Sequence, residues 1–384
     1  MKIDQNNRLE HLDSLRGMAA VLVSISHCFF VVSGPSALGI NALLGPGSVL
    51  FFFLLSGFVL GRSIISNPVD NIHKYLAYLT RRCFRLFPMV FFSVLIYAII
   101  TRCPTLPENS FLSGKTLWMD SSLSSQSIAW WLKELFLLST HLSPVLWSMQ
   151  VELSCSIILP LIIFCRNKYK FTENIEIIIL SILAFFMTGA YLSGVSFYLP
   201  DNIFTSSPFH YFFAFYLGYT INRYQNLFQN LNNDISSLIL FLSFLALIPV
   251  GSTGENFISK NIGLQVSLLV LMAFILALLI PCKNTKIKKI LICKPLLVLG
   301  RCSYSYYILH CAVIYFVLFC ITSYFGFFLR SPVILISALI FIFTLPVTFI
   351  MSYFTEKYIE APFNNLGHYL SKKLLKSNSI HFKG

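Results

Sequence analysis

The chain has 384 residues, of which 56% are hydrophobic and only 11% are charged, and its formal net charge is +13. Soluble globular domains carry about 25% charged residues, so this composition excludes an ordinary soluble domain and predicts an all-α, polytopic integral membrane protein. The basic excess fits contact with anionic membrane lipids, and nucleic acid is therefore not expected as a partner.

Ten apolar stretches follow one another along the chain, and each is interpreted as a membrane-spanning helix, which takes about 20 residues. The first is expected to be retained as a span, because no small-residue cleavage site follows it. The sixth is the shortest of the ten and contains His210. The predicted spans are residues 14–33, 46–66, 84–102, 145–165, 174–194, 208–222, 235–251, 262–281, 303–325 and 332–354.

Basic residues beside these spans predict the orientation, because loops that stay in the cytoplasm carry an excess of Lys and Arg. Both termini are placed in the cytoplasm, which puts nearly all of the 28 basic residues in inner segments. The exceptions, in outer segments, are Arg102, Lys115, Lys133, Lys260 and Arg330. This alternation supports about ten transmembrane helices with both termini cytoplasmic.

Three further segments complete the predicted organisation. Residues 8–367 are expected to form one membrane-embedded domain, and residues 368–384 a short basic cytoplasmic tail. The outer segment IAWWLKELFLL, residues 128–138, is predicted to be an amphipathic helix at the membrane interface.

The ten cysteines show no CxxC pair, so neither a disulfide nor a metal site is expected.

Ionisable side chains at membrane depth are costly and indicate functional sites. Arg16 and His27 are eleven residues apart, so they point to nearly the same helix face with an axial separation of about 16 Å. Arg16 is then expected near the cytoplasmic edge, and His27 about two-thirds of the way across the bilayer. Glu152, in the fourth span, reaches a similar depth from the outer side, where its carboxylate is predicted to meet and orient His27.

Two later features add to this set. His310 lies nine residues past Arg301 and is expected nearer the cytoplasmic half, on a helix rich in Ser and Tyr. Arg82 and Arg85, at the inner end of the third span, are three residues apart and share a helix face. Their guanidinium groups suit phosphate, which predicts an anion-binding role.

Each of these residues also has a purely structural interpretation. A lone histidine in a membrane helix often serves packing, and Arg16, Arg82 and Arg85 taken singly are ordinary topology signals. Glu152 is harder to explain by packing, because membrane spans rarely keep a carboxylate without a use. Intramembrane His and Glu residues also build proton relays, so a secondary transporter or flippase is the alternative function, and a structural scaffold is a third. The sequence shows no internal repeat, which disfavours the transporter.

Six motifs occur in one order along the chain and together resemble acyltransferase family 3, the membrane-embedded acyltransferases that modify bacterial surface glycans. The resemblance covers residues 8–367. The chain departs from many members after Glu152, where Leu153 replaces a second acidic residue, and beside His310, where Leu309 and Cys311 replace a Trp. The motifs are DSLRG with Arg16 separated from His27 by ten intervening residues, FFFLLSGFVL at 51–60, RRCFRLFP at 81–88, LWSMQVE at 146–152, LGRCSYSYYILH at 299–310 and EKYIEAPFNNLG at 356–367.

The resemblance implies an O-acetyltransferase of the bacterial cytoplasmic (inner) membrane. Acetyl-CoA is the implied acyl donor, as a substrate rather than a permanently bound cofactor. The implied acceptor is a lipid-linked or polymeric glycan such as O-antigen, lipopolysaccharide or exopolysaccharide.

The resemblance also implies roles for individual residues. His27 is the expected base, or a nucleophile that carries the acyl group, and Glu152 is its expected orienter. The residues expected to hold the donor phosphates are Arg16, Arg82 and Arg85. The residues expected to support the site or the substrate are Asp13, Trp147, Ser148, Tyr304 and His310.

Overall fold

A computed structural model describes residues 9–33, 40–100, 126–143, 145–192, 208–224, 286–324 and 332–381. All regular secondary structure in these ranges is helical, as predicted. The predicted spans at residues 235–251 and 262–281 lie outside the described residues. The other eight predicted spans each coincide with a helix.

Twelve α-helices lie in the described ranges, and a turn of π-helix at Glu356–Glu360 joins the last two. The α-helices are α1 (Glu10–Ser33), α2 (Ile40–Ser66), α3 (Ile72–Ile100), α4 (Ile128–Leu135), α5 (Leu146–Tyr169), α6 (Glu173–Leu192), α7 (Pro208–Tyr224), α8 (Lys286–Leu291), α9 (Lys294–Arg301), α10 (Ser303–Tyr324), α11 (Val333–Thr355) and α12 (Ala361–His381).

Among the described residues, six helical stretches are long and apolar enough to cross a membrane: Glu10–Val32, Gly47–Ser66, Ile72–Ile100, Leu146–Tyr169, Ser303–Ile321 and Ile334–Lys376. Their outer faces present large apolar side chains, such as Ile99 (60% exposed) and Ile342 (61% exposed). Continuous apolar surface of this kind fits a lipid environment, so the chain is a multi-pass membrane protein. The number of ten spans and the cytoplasmic termini stay predictions.

Helix α3 begins at Ile72, well before the predicted start at residue 84. Its N-terminus is capped by Asn71, whose side-chain oxygen accepts a hydrogen bond from the backbone N–H of Lys74 at 2.9 Å. In its first turns Ile72 and Leu76 are exposed while Ala77 and Tyr78 are buried, so a hydropathy window alone does not find this amphipathic stretch.

The residues predicted as a tail continue helix α12, which packs along α3. Arg81 donates a hydrogen bond from Nη1 to the hydroxyl of Ser371 at 3.1 Å. At Gly367 the helices approach so closely that an added Cβ atom would lie 2.6 Å from Cβ of Phe84. The described part of the tail is therefore docked on the membrane-embedded helices.

Small residues also bring α2 and α7 together. A Cβ atom at Gly57 would lie 2.0 Å from the carbonyl oxygen of Phe215, and one at Gly218 would lie 2.0 Å from that of Leu54. Backbones pack this closely in membrane helix pairs because glycine has no side chain between them. The sixth predicted span therefore lies on a packed helix, but α7, with 17 residues, is not among the six long stretches, so its crossing of the membrane stays a prediction.

The predicted amphipathic segment forms α4, which begins after Ser127, whose hydroxyl accepts a hydrogen bond from the N–H of Trp130. Ile128 on this helix is 80% exposed, whereas Glu134 is buried and accepts hydrogen bonds from the backbone N–H groups of His141 and Leu142. The helix is confirmed, and its location at the membrane interface stays a prediction.

Candidate active site

Helices α1 and α10 pack against each other and bring two histidines into contact. His27 Nδ1 lies 2.8 Å from His310 Nε2, and the two rings are nearly parallel, with centroids 5.1 Å apart. Cys311 Sγ lies 3.4 Å from the same nitrogen of His27 and 3.3 Å from that of His310. We call His27, His310 and Cys311 the histidine cluster.

The neighbours of His310 fix the protons of the pair when both rings are neutral. His310 Nδ1 lies 2.7 Å from the carbonyl oxygen of Tyr307. A carbonyl oxygen only accepts, so Nδ1 of His310 carries a proton and its Nε2 presents a lone pair. His27 Nδ1 must then donate to that lone pair, which leaves Nε2 of His27 without a proton and able to act as a base or nucleophile.

This contact corrects two expectations about depth and partners. His310 lies at the level of His27 rather than nearer the arginine end of the helices. The carboxylate of Glu152, predicted to orient His27, instead accepts a hydrogen bond from Arg82 Nη2 at 2.9 Å. Helical rise sets the depth of a residue but not the direction in which its helix is rotated, and α5 turns this side chain towards α3.

The two arginines predicted to act together differ in their surroundings. Arg82 is only 8% exposed, and its Nη2 also donates to the hydroxyl of Ser156 at 3.1 Å. Arg85 makes no hydrogen bond or ion pair with other residues that the structure describes, and its side chain lines two cavities. Arg82, Glu152 and Arg85 all line the inner cavity, but Arg82 is held there in an ion pair with Glu152, whereas Arg85 also reaches the second cavity.

The first of these cavities, the inner cavity, has a volume of about 60 Å³ and lies among α1, α2, α3, α5 and α10. Its lining includes Ser148 and Tyr307, whose hydroxyl groups are 2.9 Å apart. Tyr304 also lines it and donates from its hydroxyl to the carbonyl oxygen of Leu86 at 2.7 Å. Tyr307 connects this cavity to the histidine cluster, because its side chain faces the cavity while its carbonyl accepts from His310.

The predicted site residue Trp147 lies beside the inner cavity rather than in its lining. Its ring packs 5.3 Å from that of Tyr211 and 6.2 Å from that of Phe53, measured between centroids. Phe53 does line the cavity. Trp147 therefore packs behind Phe53 and supports the wall of the inner cavity without lining it.

The second cavity has a volume of about 330 Å³ and adjoins the first, since Arg16 and Arg85 line both. We call it the arginine mouth. Its charged lining residues are Asp13, Arg16, Arg62, Arg85, Arg301, Glu356 and Glu360.

Close packing of α1 against α9 shapes the arginine mouth. A Cβ atom at Gly300 would lie 2.3 Å from the carbonyl oxygen of Asp13, so only glycine allows this approach. Arg16 then lies 3.4 Å from the Asp13 carboxylate. Arg301, at the end of α9, lies 3.6 Å from the Glu356 carboxylate.

The π-helical turn adds the two carboxylates of the mouth. Glu356 and Glu360 belong to its five residues, and Glu360 accepts a hydrogen bond from the hydroxyl of Ser305 at 2.8 Å. Single π-helical turns are frequent at functional sites. Both residues belong to the closing motif EKYIEAPF, so the motif could have pointed to them, but the sequence analysis gives neither glutamate a role.

Arg62 and Arg301 were also missed, because each was counted only as a basic residue at a span end. Arg62 makes no hydrogen bond or ion pair within the described ranges and is partly exposed to the mouth. A position at the end of a span does not distinguish a topology signal from a ligand-binding arginine.

Comparison with known proteins completes the description of the site. No match to this chain is found among curated proteins or solved structures. The family model described as an acyltransferase domain matches residues 9–353, which include both histidines, Glu152 and all four arginines of the mouth. A match of this extent shows the family, so the chain belongs to acyltransferase family 3, whose members are acyltransferases.

Proposed function

We propose that this protein is a membrane O-acyltransferase that moves an acetyl or other short acyl group from acyl-CoA to a hydroxyl group of a cell-surface glycan. The observation that carries the proposal is a route of two adjoining cavities, which leads from the arginine mouth as far as Tyr307, the residue whose carbonyl holds His310. A charged, phosphate-bearing donor with a long thioester arm suits such a route. The family makes acyl transfer the chemistry at its end.

The donor phosphates would bind at the arginine mouth. Arg62 and Arg85 are the best candidates, because neither forms an ion pair within 4 Å of a described carboxylate, unlike Arg16 beside Asp13 and Arg301 beside Glu356. Guanidinium groups bind phosphate through paired, charge-assisted hydrogen bonds. The pantetheine arm would extend along the inner cavity towards His27. The helical rise from Arg16 to His27 is about 16 Å, which is the distance that the arm has to bridge.

His27 Nε2 would remove the proton from the acceptor hydroxyl as its oxygen attacks the thioester carbonyl carbon. The new C–O bond forms, the C–S bond of the tetrahedral intermediate breaks, and the leaving thiolate takes the proton back from His27. His310 acts here as the positioning residue, because its Nε2 accepts from His27 Nδ1 and stabilises the imidazolium. On the cavity side the Tyr307 hydroxyl would donate to the oxyanion by turning away from Ser148, whose own hydroxyl proton is donated to the Val145 carbonyl.

A second route uses the same nitrogen. His27 Nε2 attacks the thioester itself, CoA leaves, and the acceptor hydroxyl then displaces the imidazole. Rapid acid quenching after mixing with labelled acyl-CoA alone distinguishes the routes. Label on the protein, lost in His27→Ala, supports the acyl-imidazole route, and its absence supports direct transfer.

The proposal is tested by replacing His27 with Ala in cells that display the glycan. We expect ester-linked acetyl groups to disappear from the glycan, measured by mass analysis of purified polysaccharide, while the membrane level of the protein stays normal. His141→Ala is the matched control, because its imidazole is exposed on the α4–α5 connection. Loss of glycan export without loss of acetylation would instead support the transporter.

A further inference from the structure

We propose that the histidine cluster is a binding site for a soft metal ion, zinc(II) or copper(I), with His27 Nδ1, His310 Nε2 and Cys311 Sγ as ligands. These three atoms all lie within 4.8 Å of one another. Two imidazoles and one thiol are a ligand set typical of these ions. The ligands come from positions 283 residues apart, so no metal-binding spacing is visible in the sequence.

The distances fit the size of such an ion. Zinc–nitrogen bonds of about 2.0 Å and zinc–sulfur bonds of about 2.3 Å put tetrahedral ligand atoms roughly 3.3–3.6 Å apart. The two sulfur–nitrogen distances in the cluster are 3.4 and 3.3 Å, and the nitrogen–nitrogen distance is 2.8 Å. A small outward movement of one imidazole is enough to admit the ion.

The surroundings of His310 have the form expected around a metal ligand. Its other ring nitrogen lies 2.7 Å from the Tyr307 carbonyl, and metal-bound histidines commonly donate their second N–H to such an oxygen. This hydrogen bond turns the lone pair of Nε2 towards His27 and Cys311. The ring is therefore held in the orientation that coordination requires before any ion arrives.

Burial favours a soft ion bound through a thiolate. His310 is fully buried and Cys311 is 1% exposed, so a highly charged complex is disfavoured. Loss of the Cys311 proton on binding lowers the net charge to zero for copper(I) and to +1 for zinc(II). Hard ions such as Mg²⁺ and Ca²⁺ prefer oxygen ligands, and the cluster offers none.

Coordination would also switch off the proposed base. The ion takes the nitrogen of His27 that otherwise donates to His310, so the remaining proton of the neutral ring moves to Nε2. That nitrogen then no longer removes a proton from the acceptor. Inhibition of acyl transfer by the metal therefore rests on the proposed function, whereas metal binding itself does not.

The test uses the reduced, full-length protein in lipid nanodiscs, titrated with Co²⁺ as a coloured substitute for zinc. We expect one Co²⁺ per chain with a thiolate-to-cobalt charge-transfer band and the visible bands of tetrahedral coordination, both removed by added Zn²⁺. Cys311→Ser should lose the charge-transfer band, and His310→Ala should weaken binding at least tenfold. Cys155→Ser is the matched control, because Cys155 is also fully buried but lies on α5, outside the cluster.

A measurement on the unmodified protein avoids dependence on variants that fail to fold. X-ray absorption of the zinc-loaded protein should show one sulfur and two imidazoles around the ion. A shell of oxygen atoms only, or an unchanged cobalt band in Cys311→Ser, overturns the proposal. Competition with a coloured copper(I) chelator then shows which of the two ions is bound more tightly.

Activity measured in parallel separates this inference from the proposed function. Loss of acyl transfer on adding Zn²⁺, restored by a chelator, supports inhibition through His27. If the cobalt band appears in a protein that transfers no acyl group, the metal site stands and the proposed function fails. If acyl transfer is normal and no band appears, the metal site fails and the proposed function stands.

Discussion

The arginine mouth and the histidine cluster both include residues of helix α1, yet they differ in charge and in burial. The mouth gathers four arginines and three carboxylates around a wide cavity. The cluster holds two imidazoles and a thiol, and two of these three side chains are buried. Formal charges therefore line the mouth and, as the Arg82–Glu152 ion pair, the inner cavity, whereas groups that are neutral at rest lie about 16 Å beyond Arg16 along α1.

This difference suggests that the mouth suits donor binding and that the cluster suits proton transfer. Binding a phosphate needs fixed positive charge. The free-energy cost of a charge in a membrane protein is lowest near the water-exposed edge. Proton transfer needs a base whose tautomer is fixed, which the hydrogen bonds of a dry interior provide. Under the proposed function, changes in the cluster should lower kcat, whereas changes in the mouth should raise KM for the donor.

The largest effect is expected for His310→Ala. Without its acceptor, His27 loses both its preferred tautomer and the partner of its imidazolium, so kcat should fall by about 10²–10⁴-fold with little change in KM for acyl-CoA. The measurement is CoA release from proteoliposomes with a fixed glycan acceptor.

His310→Gln is the informative companion. Its side-chain oxygen can accept from His27 and its amide can donate to Tyr307, so it should recover part of the lost kcat. Equal activity in the Ala and Gln variants would argue that His310 only fills space.

The next largest effect is expected for Arg82→Ala, and it should appear in stability rather than in donor binding. Removing this guanidinium leaves Glu152, only 16% exposed at its side chain, without its ion-pair partner. Breaking one side of a buried ion pair costs about 3–5 kcal/mol. Thermal unfolding in nanodiscs should show a clear loss of stability.

The double variant Arg82→Met with Glu152→Leu tests the same explanation. Apolar pairs of similar volume often replace buried ion pairs without loss, so most of the stability should return. A stable Arg82→Ala protein with a raised KM for acyl-CoA would instead restore the role that the sequence predicted for Arg82.

Much of this arrangement follows from the sequence, but the pairing of side chains does not. Hydropathy and motif order located the helices and selected Arg16, His27, Glu152 and His310. Helical rise gave approximate depths, which made Glu152 appear to be the partner of His27. Rotation of α5 and α10 depends on packing between distant segments, such as the contacts of Glu152 with Arg82 and of Ser148 with Tyr307, and no local pattern encodes it.

The same limitation applies to the arginines. Arg82 and Arg85 share a helix face within one turn, so periodicity treats them as equivalent. Their difference arises because α5 presents Glu152 and Ser156 to one of them, while the other faces the cavities. Only tertiary contacts separate a structural arginine from one available to a ligand.

Replacing Arg62 or Arg85 with Ala should therefore weaken donor binding while leaving the cluster intact. A hydrogen bond to a charged group contributes about 1.5–3 kcal/mol, so KM for acyl-CoA should rise about 10–100-fold in each variant. kcat at saturating donor should change little. The measurement is the dependence of CoA release on acyl-CoA concentration.

Arg223→Ala is a suitable control, because this arginine lies 3.6 Å from Glu176 at the ends of α6 and α7 and does not line the mouth. It should leave KM unchanged. If Arg62→Ala and Arg85→Ala also leave KM unchanged, the donor phosphates do not bind in the mouth.

The smallest expected effect is the response to salt, and it distinguishes the two regions without any substitution. The Debye length falls from about 10 Å at 0.1 M to about 3 Å at 1 M ionic strength, so attraction between phosphates and a partly exposed mouth weakens. KM for acyl-CoA should rise severalfold across this range in the unmodified protein and less in Arg62→Ala. kcat should stay constant, because the histidine cluster is neutral at rest and two of its three side chains are buried. A falling kcat with a constant KM would mean that mobile ions reach the cluster and that the mouth does not recognise the donor by charge.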